Sequence, residues 1–185
     1  MTKLNLGCGG RQIEGFINID IEDYGGNVIH DVRKGLPYDD DTVDFINASH
    51  FIEHLNLREA VSVLKECYRV LRRGGKIRVT VPDTRLLIDH LLRNDMDRFA
   101  NVQPTIYSQI NSQMLKFSLI ALGNMSNDCT REHYTGHQLL LDFEALSELL
   151  VMAGFSPDRI RRVGYDPILD AEVGRDHSVS VEAEK

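Results

Sequence analysis

The sequence predicts an α/β protein built on a mostly parallel, seven-stranded sheet. Its helical layer is thinned over the first half, and a helical insertion separates strands 5 and 6. Two observations predict this class. Short apolar runs alternate with stretches of helical periodicity, which is typical of a parallel sheet covered by helices. In addition, the first run enters a glycine turn within residues 4–10, and the next run ends on Asp20. This pattern is typical of parallel sheets that bind a ligand at the carboxyl ends of their strands.

The predicted strands are short, and the first three lie very close together in sequence. Only residues 11–15 separate the glycine turn from the second strand, and only residues 21–27 separate the second from the third. A parallel crossover takes about a dozen residues. Either these connections are reduced to turns, or the first three strands pair irregularly. The seven predicted strands are residues 3–6, 16–19, 28–30, 43–48, 76–81, 160–164 and 178–183.

Two helices have clear start and stop signals. Asn56 with Glu59 three residues later forms a capping-box pattern, and Gly74 supplies a stop. The second helix is bounded by Asp142 as N-cap and Gly154 as terminator. Both helices therefore follow sequence signals that are local to their ends.

Residues 84–123 are predicted to contain two further helices, over 84–94 and 104–122, where one crossover helix is expected. Pro104 suits a first helical turn and Gly123 a C-cap. Two interpretations stay open for this insertion. The helices either pack on the sheet, or form a lid or dimer surface above the carboxyl ends of the strands.

Composition narrows the class of protein. The 185 residues, 42% apolar and 26% charged, suit one domain over residues 1–185. No apolar run approaches the about 20 residues of a membrane span, and the chain enters a strand at once rather than a signal peptide. Cys8, Cys67 and Cys129 are widely spaced, which favours a reducing cytoplasm. The net charge of −7 disfavours a nucleic-acid partner.

The glycine turn and Asp20 suggest a nucleoside site. Gly7 and Gly9 lack a Cβ, so polar groups of a ligand can reach backbone N–H donors there. Asp20 ends the neighbouring strand, where an acidic side chain can accept both hydroxyls of a ribose.

Six segments in order extend this pattern over about two thirds of the chain: LNLGCGG (4–10), GFINIDI (15–21), HDVRKGLPY (30–38), DDTVDFINASHFIEHL (40–55), YRVLRRGGKIRVTVPD (68–83) and FEALSELLVMAGF (143–155). Together they resemble class I S-adenosylmethionine (SAM)-dependent methyltransferases of the small methyltransferase-11-like type. The resemblance implies a Rossmann-like fold, methyl transfer and SAM as cofactor. One departure is the missing helix after the glycine turn, whose N-terminus would hold the cofactor's carboxylate.

The resemblance also implies a set of cofactor contacts along the strand ends. Asp31 would face the adenine amino group and the Val32 N–H a ring nitrogen, with Ile21 packed on the adenine face. The alternative for Asp31 is a turn cap. The methionine part of SAM would meet the acceptor after the fourth strand. The expected cofactor-binding residues are Leu6, Gly7, Cys8, Gly9, Asp20, Ile21, Asp31, Val32, Ala48 and Ser49.

Histidines are the candidates for proton transfer, because imidazole accepts protons near neutral pH. His50 and His54 follow the fourth strand, and a structural hydrogen-bonding role is the alternative for each. Expected acceptor-binding residues are Asp83, after the fifth strand, and Tyr134 and His137, in the polar loop before the helix capped by Asp142. A solvated loop is the alternative interpretation of that segment.

Residues 50–54 also spell H-x-x-E-H, an inverted zinc-protease pattern. That pattern needs both histidines on one helix, whereas the cap at Asn56 starts the helix after His54. We therefore expect no metal.

The favoured function is methyl transfer from SAM to a small polar acceptor, with a glycan or other carbohydrate hydroxyl as first candidate. Two alternatives are a degenerate module that binds SAM or its product S-adenosylhomocysteine (SAH) without catalysis, and a subunit whose insertion 84–123 serves a partner. A homodimer through residues 84–123 is one form of the latter.

Overall fold

The computed structural model describes residues 1–100, 107–123, 136–172 and 175–185. Its centre is a seven-stranded sheet within these residues, which confirms the predicted fold class. The strands are β1 (Lys3–Leu6), β2 (Ile17–Asp20), β3 (Val28–Ile29), β4 (Val43–Ser49), β5 (Leu71–Pro82), β6 (Ile160–Val163) and β7 (Ser178–Glu184). Their order is β3-β2-β1-β4-β5-β7-β6, and β7 runs antiparallel to both of its neighbours while the other pairs are parallel.

Helices cover the sheet from β4 onward. The α-helices within the described ranges are α1 (Leu57–Val70), α2 (Thr84–Leu92), α3 (Gln113–Ala121) and α4 (Phe143–Ala153). Single 3₁₀ turns lie at Val32–Lys34, Ile52–His54, Met96–Phe99 and Pro157–Arg159. No helix in these ranges is long and apolar enough to cross a membrane.

The connections between the first three strands are reduced to turns, and the alternative of irregular pairing is wrong. β1 and β2 pair in parallel from Leu4 opposite Ile17. Side-chain amides replace the missing helix. Asn18 Oδ1 accepts the Ile13 N–H at 2.8 Å, and Asn5 Nδ2 donates to the Arg11 carbonyl at 3.2 Å. The Ile13 N–H and the Arg11 carbonyl are thus satisfied by side chains rather than by helical hydrogen bonds.

Two apolar clusters hold the chain together. The larger lies between the sheet and the helices α1 and α4, where Leu64, Leu146 and Leu150 are fully buried. The smaller one joins α2, α3 and the turn between them around Leu87 and Met96. Residues 84–123 therefore have an apolar cluster of their own.

Three predicted element ends are wrong. α1 ends at Val70 rather than near Gly74, because Leu71 turns extended and pairs with Val43. For the same reason β5 starts at Leu71 and not at residue 76. The stretch 104–122 is not one helix, since α3 begins at Gln113, after its N-cap Ser112. Pro104 lies outside the described residues. The expected stop at Gly123 is confirmed by a φ of +64° directly after α3.

The other predicted caps are confirmed. Asn56 and Glu59 form a complete capping box. Asp142 accepts the Ala145 N–H at 2.9 Å, and Gly154 ends α4 with a φ of +117°.

Candidate functional site

A cavity of about 370 Å³ opens at the carboxyl ends of β1, β2 and β4. It brings together the glycine turn, the end of β2, the turn after β3 and the histidines after β4. Its lining residues are Gly7, Gly9, Ile19, Asp20, Ile21, Glu22, Tyr24, His30, Asp31, Val32, Arg33, His50, Phe51, His54, Leu55 and Gln138.

The two glycines of the turn differ in what surrounds them. Both have positive φ, +60° at Gly7 and +51° at Gly9. A Cβ on Gly7 would lie 2.4 Å from the ring of Phe51, whereas a Cβ on Gly9 would meet nothing within 4 Å. Gly7 is therefore required by packing, and Gly9 exposes its backbone to the cavity.

Asp20 braces the turn and faces the cavity at the same time. Its Oδ2 accepts the Gly9 N–H at 2.8 Å, and its Oδ1 accepts the Glu22 N–H at 3.1 Å. Each carboxylate oxygen can accept more than one hydrogen bond. The side chain thus keeps acceptor capacity for two further donors, such as the hydroxyls of a ribose.

Asp31 does cap a turn, while also lining the cavity. Its Oδ1 accepts from the Arg33 backbone N–H at 3.1 Å, and its two oxygens take Arg33 Nε and Nη2 at 2.8 and 3.1 Å. The Arg33 guanidinium holds the pKa of Asp31 below its usual value. Ile21 and Val32 line the cavity as well. The adenine contacts of Ile21, Asp31 and Val32 stay a prediction.

Four of the expected cofactor residues, Leu6, Cys8, Ala48 and Ser49, do not line the cavity with their side chains. Leu6 and Ala48 are fully buried and can offer only backbone groups. Burial, and then the charge of Asp20, raises the pKa of the Cys8 thiol to about 11. Ser49 Oγ accepts the Ala171 N–H at 3.2 Å, which ties β4 to the segment before β7.

His50 and His54 both line the cavity. His50 sits directly after β4 with a φ of +53°, a conformation uncommon for residues other than glycine. Its Nδ1 lies 3.3 Å from Glu53 Oε1 and its Nε2 lies 3.1 Å from Ser178 Oγ. The His50 imidazole thus lies between a buried carboxylate and a serine hydroxyl, and of these three residues only His50 lines the cavity.

Glu53 is the residue that sequence reasoning missed. It is 1% exposed, and neither of its oxygens accepts a hydrogen bond from the described residues. Burial raises its pKa, but His50, His54 and His137 outweigh burial and hold the pKa below the usual value. Its place inside the H-x-x-E-H pattern was the available signal. Gln138, also missed, lines the cavity and donates to the His54 carbonyl at 2.9 Å.

The structure does not bring the three expected acceptor-binding residues to one place. His137 is brought to His54, with ring centroids 4.9 Å apart, and burial lowers its pKa. Asp83 caps α2 and lies 3.5 Å from Arg162, and it does not line the cavity. Tyr134 lies outside the described residues.

Comparison with known proteins agrees with this geometry. Residues 16–79 match the sequence model of a family described as a methyltransferase domain. No curated protein matches the chain significantly in sequence.

Solved structures share the fold over the whole of this chain. A SAM-dependent methyltransferase from Methanosarcina mazei is 18% identical, with a TM-score of 0.60 over 100% of this chain and 92% of that one. One from Archaeoglobus fulgidus is 17% identical, with a TM-score of 0.56 over 100% and 86%. A possible histamine N-methyltransferase from Thermotoga maritima is 16% identical, with a TM-score of 0.54 over 100% and 82%. The family match over β2 to β5 and the fold shared with these structures both support a class I SAM-dependent methyltransferase, with SAM as the cofactor.

Proposed function

We propose that the enzyme transfers the methyl group of SAM to a hydroxyl of a small polar acceptor, with a carbohydrate as the first candidate. One observation carries the proposal. A single cavity is lined by Asp20, by the two glycines of the turn, and by His50 and His54. A nucleoside bound at Asp20 brings its sulfonium toward the histidines.

The cofactor's orientation follows from the polar groups along the cavity. Asp20 takes the ribose hydroxyls with the acceptor capacity that Gly9 and Glu22 leave. The adenine then lies toward Ile21, Asp31 and Val32, on the β3 side. The methionine part passes the open backbone of the glycine turn.

The transfer itself needs mainly alignment, because the sulfonium already makes the methyl carbon electrophilic. The acceptor oxygen forms a bond to the methyl carbon as the carbon–sulfur bond breaks, and the electron pair of that bond stays on sulfur in SAH. The hydroxyl proton passes to His50 Nε2. Glu53, 3.3 Å from His50 Nδ1, stabilises the imidazolium that results.

The position of Ser178 supports a hydroxyl acceptor. Its Oγ lies 3.1 Å from His50 Nε2, so an alcohol fits at this nitrogen. An acceptor hydroxyl would compete with Ser178 for the same place.

Two further parts of the proposal concern assembly and location. Leu92, Met114, Leu115 and Leu122 of the insertion are exposed, which supports a homodimer through residues 84–123. Cys8 and Cys67 are buried free thiols, as suits a protein of the reducing cytoplasm.

Calorimetry with SAM and SAH tests the proposal first. Binding of both ligands supports the enzyme, binding of SAH alone indicates a sensor, and binding of neither refutes the cofactor site. A panel of sugars and other small alcohols is then assayed by SAH release. Turnover with amines but with no alcohol would refute the hydroxyl acceptor.

A further inference from the structure

We propose that Glu53, His54 and His137 bind a divalent transition-metal cation behind the acceptor end of the cavity. One ligand atom from each residue lies within 4.8 Å of the others. Ligands about 2.1 Å from a common cation lie about 3–4 Å apart, so small side-chain rotations complete the site. Two imidazoles and one carboxylate are a donor set that suits zinc, manganese or iron(II).

The hydrogen bonds of both histidines fix the tautomer that a metal requires. His54 Nδ1 lies 2.9 Å from the Gly136 carbonyl oxygen, and His137 Nδ1 lies 3.1 Å from that of Ala121. A carbonyl only accepts, so each Nδ1 carries the proton and each Nε2 is the unprotonated nitrogen. Metal-binding histidines are commonly held in this way by a backbone carbonyl.

Glu53 supplies the second, independent observation. A buried carboxylate without hydrogen bonds is costly unless a cation compensates its charge. The described residues give this carboxylate no hydrogen-bond donor, and His50 Nδ1 at 3.3 Å approaches only one of its oxygens. A cation between Glu53 and the two histidines resolves this.

Backbone contacts preorganise the three ligands although they come from distant parts of the chain. The Gln138 and Leu139 N–H groups both donate to the Glu53 carbonyl, at 2.8 and 3.1 Å. The His137 N–H donates to the Leu122 carbonyl at 2.8 Å. A Cβ on Gly123 would come within 2.5 Å of the His137 ring, so this glycine leaves the space that the imidazole occupies.

This site differs from the zinc-protease interpretation of residues 50–54. The segment Ile52–His54 is a 3₁₀ turn, so the two histidines of the pattern do not share a helix face. The third ligand comes from the segment before α4. Because His54 lines the cavity, the cation would bind and polarise the acceptor hydroxyl, a role that rests on the proposed function.

Metal binding by the chelator-treated full chain tests the site without reference to activity. We expect saturable binding of one Zn²⁺ or Mn²⁺ per chain by calorimetry, and much weaker binding of Mg²⁺. A Zn²⁺ concentration one hundred times the Kd should raise the Tm by about 5–10 °C. Glu53→Gln and His137→Ala should each weaken binding at least about a hundredfold. The matched control is His90→Ala, which removes a histidine paired with Asp95 outside the cluster.

Metal-dependent stability distinguishes the site from a structural histidine cluster. Added Zn²⁺ should raise the Tm of the wild type but not that of Glu53→Gln, because the variant lacks the carboxylate ligand. No saturable Zn²⁺ or Mn²⁺ binding by the wild type, or equal binding by Glu53→Gln, would overturn the proposal. SAH affinity is measured on the same samples. Retained SAH binding with no metal binding overturns the metal site alone, whereas loss of SAH binding in the wild type overturns the proposed function.

Discussion

Replacing Asp20 by alanine should weaken cofactor binding and loosen the glycine turn together. The ribose loses a charged acceptor, worth a net of about 1.5–3 kcal/mol, so the Kd for SAH should rise about 10- to 150-fold. The Gly9 and Glu22 N–H groups, at 2.8 and 3.1 Å, lose their acceptor as well. Because this region is partly exposed, we expect a further cost of about 1–2 kcal/mol in unfolding free energy and a Tm lower by about 2–8 °C.

Calorimetry with SAH and thermal unfolding measure the two effects separately. Asp23→Ala is the matched control, because it removes the same charge three residues away, from a carboxylate that accepts the Gly25 N–H and does not line the cavity. Its SAH affinity should stay within about twofold of the wild type. An Asp20→Ala variant that folds and binds SAH as tightly as the control would refute the ribose assignment.

Three other variants test separate parts of the site. Gly9→Val should fold but lose SAH binding in calorimetry, because its side chain would enter the cavity from a φ of +51°; normal binding would make the turn a structural connection only. His50→Ala should keep SAH affinity and lose turnover by about 10²–10⁴ if the imidazole takes the acceptor proton, whereas full activity would exclude it as the base. Burial, followed by the charge of His50, lowers the pKa of His177 from 6.5 to about 4. Between these values the unfolded chain binds a proton that the folded chain does not, so stability should fall by about 3 kcal/mol as the pH drops from 6.5 to 4. His177→Gln should remove that part of the loss in urea unfolding, and an unchanged pH dependence would contradict the pKa.

The elements that the sequence predicted well are those with local signals. The cap at Asn56, the stop at Gly154 and the carboxyl ends of the parallel strands depend on neighbouring residues, and the structure confirms them, the strand ends to within one residue. The prediction of one helix over 104–122 was wrong because apolar residues continue on both sides of Ser112, which is the N-cap of α3.

The Glu53 cluster could not be predicted, for a different physical reason. Its partner His137 lies more than 80 residues away and meets His54 only because the 136–139 segment hydrogen-bonds to the Ile52–His54 turn. The spacing within H-x-x-E-H describes a helix, whereas the chain forms a 3₁₀ turn there. Only the tertiary hydrogen bonds bring the carboxylate and the two imidazoles together.

The missing helix after the glycine turn affects which part of the cofactor the protein can recognise. No helix N-terminus follows the turn within residues 11–16, and the guanidinium of Arg11 donates to the carbonyls of Pro167, Ile168 and Leu169. A SAM molecule bound as proposed would meet neither a helix dipole nor this arginine at its amino-acid end. We expect binding energy to concentrate on the nucleoside, so that 5′-methylthioadenosine competes with SAM better here than in relatives that keep the helix. Such an enzyme would respond to nucleoside breakdown products as well as to its own product.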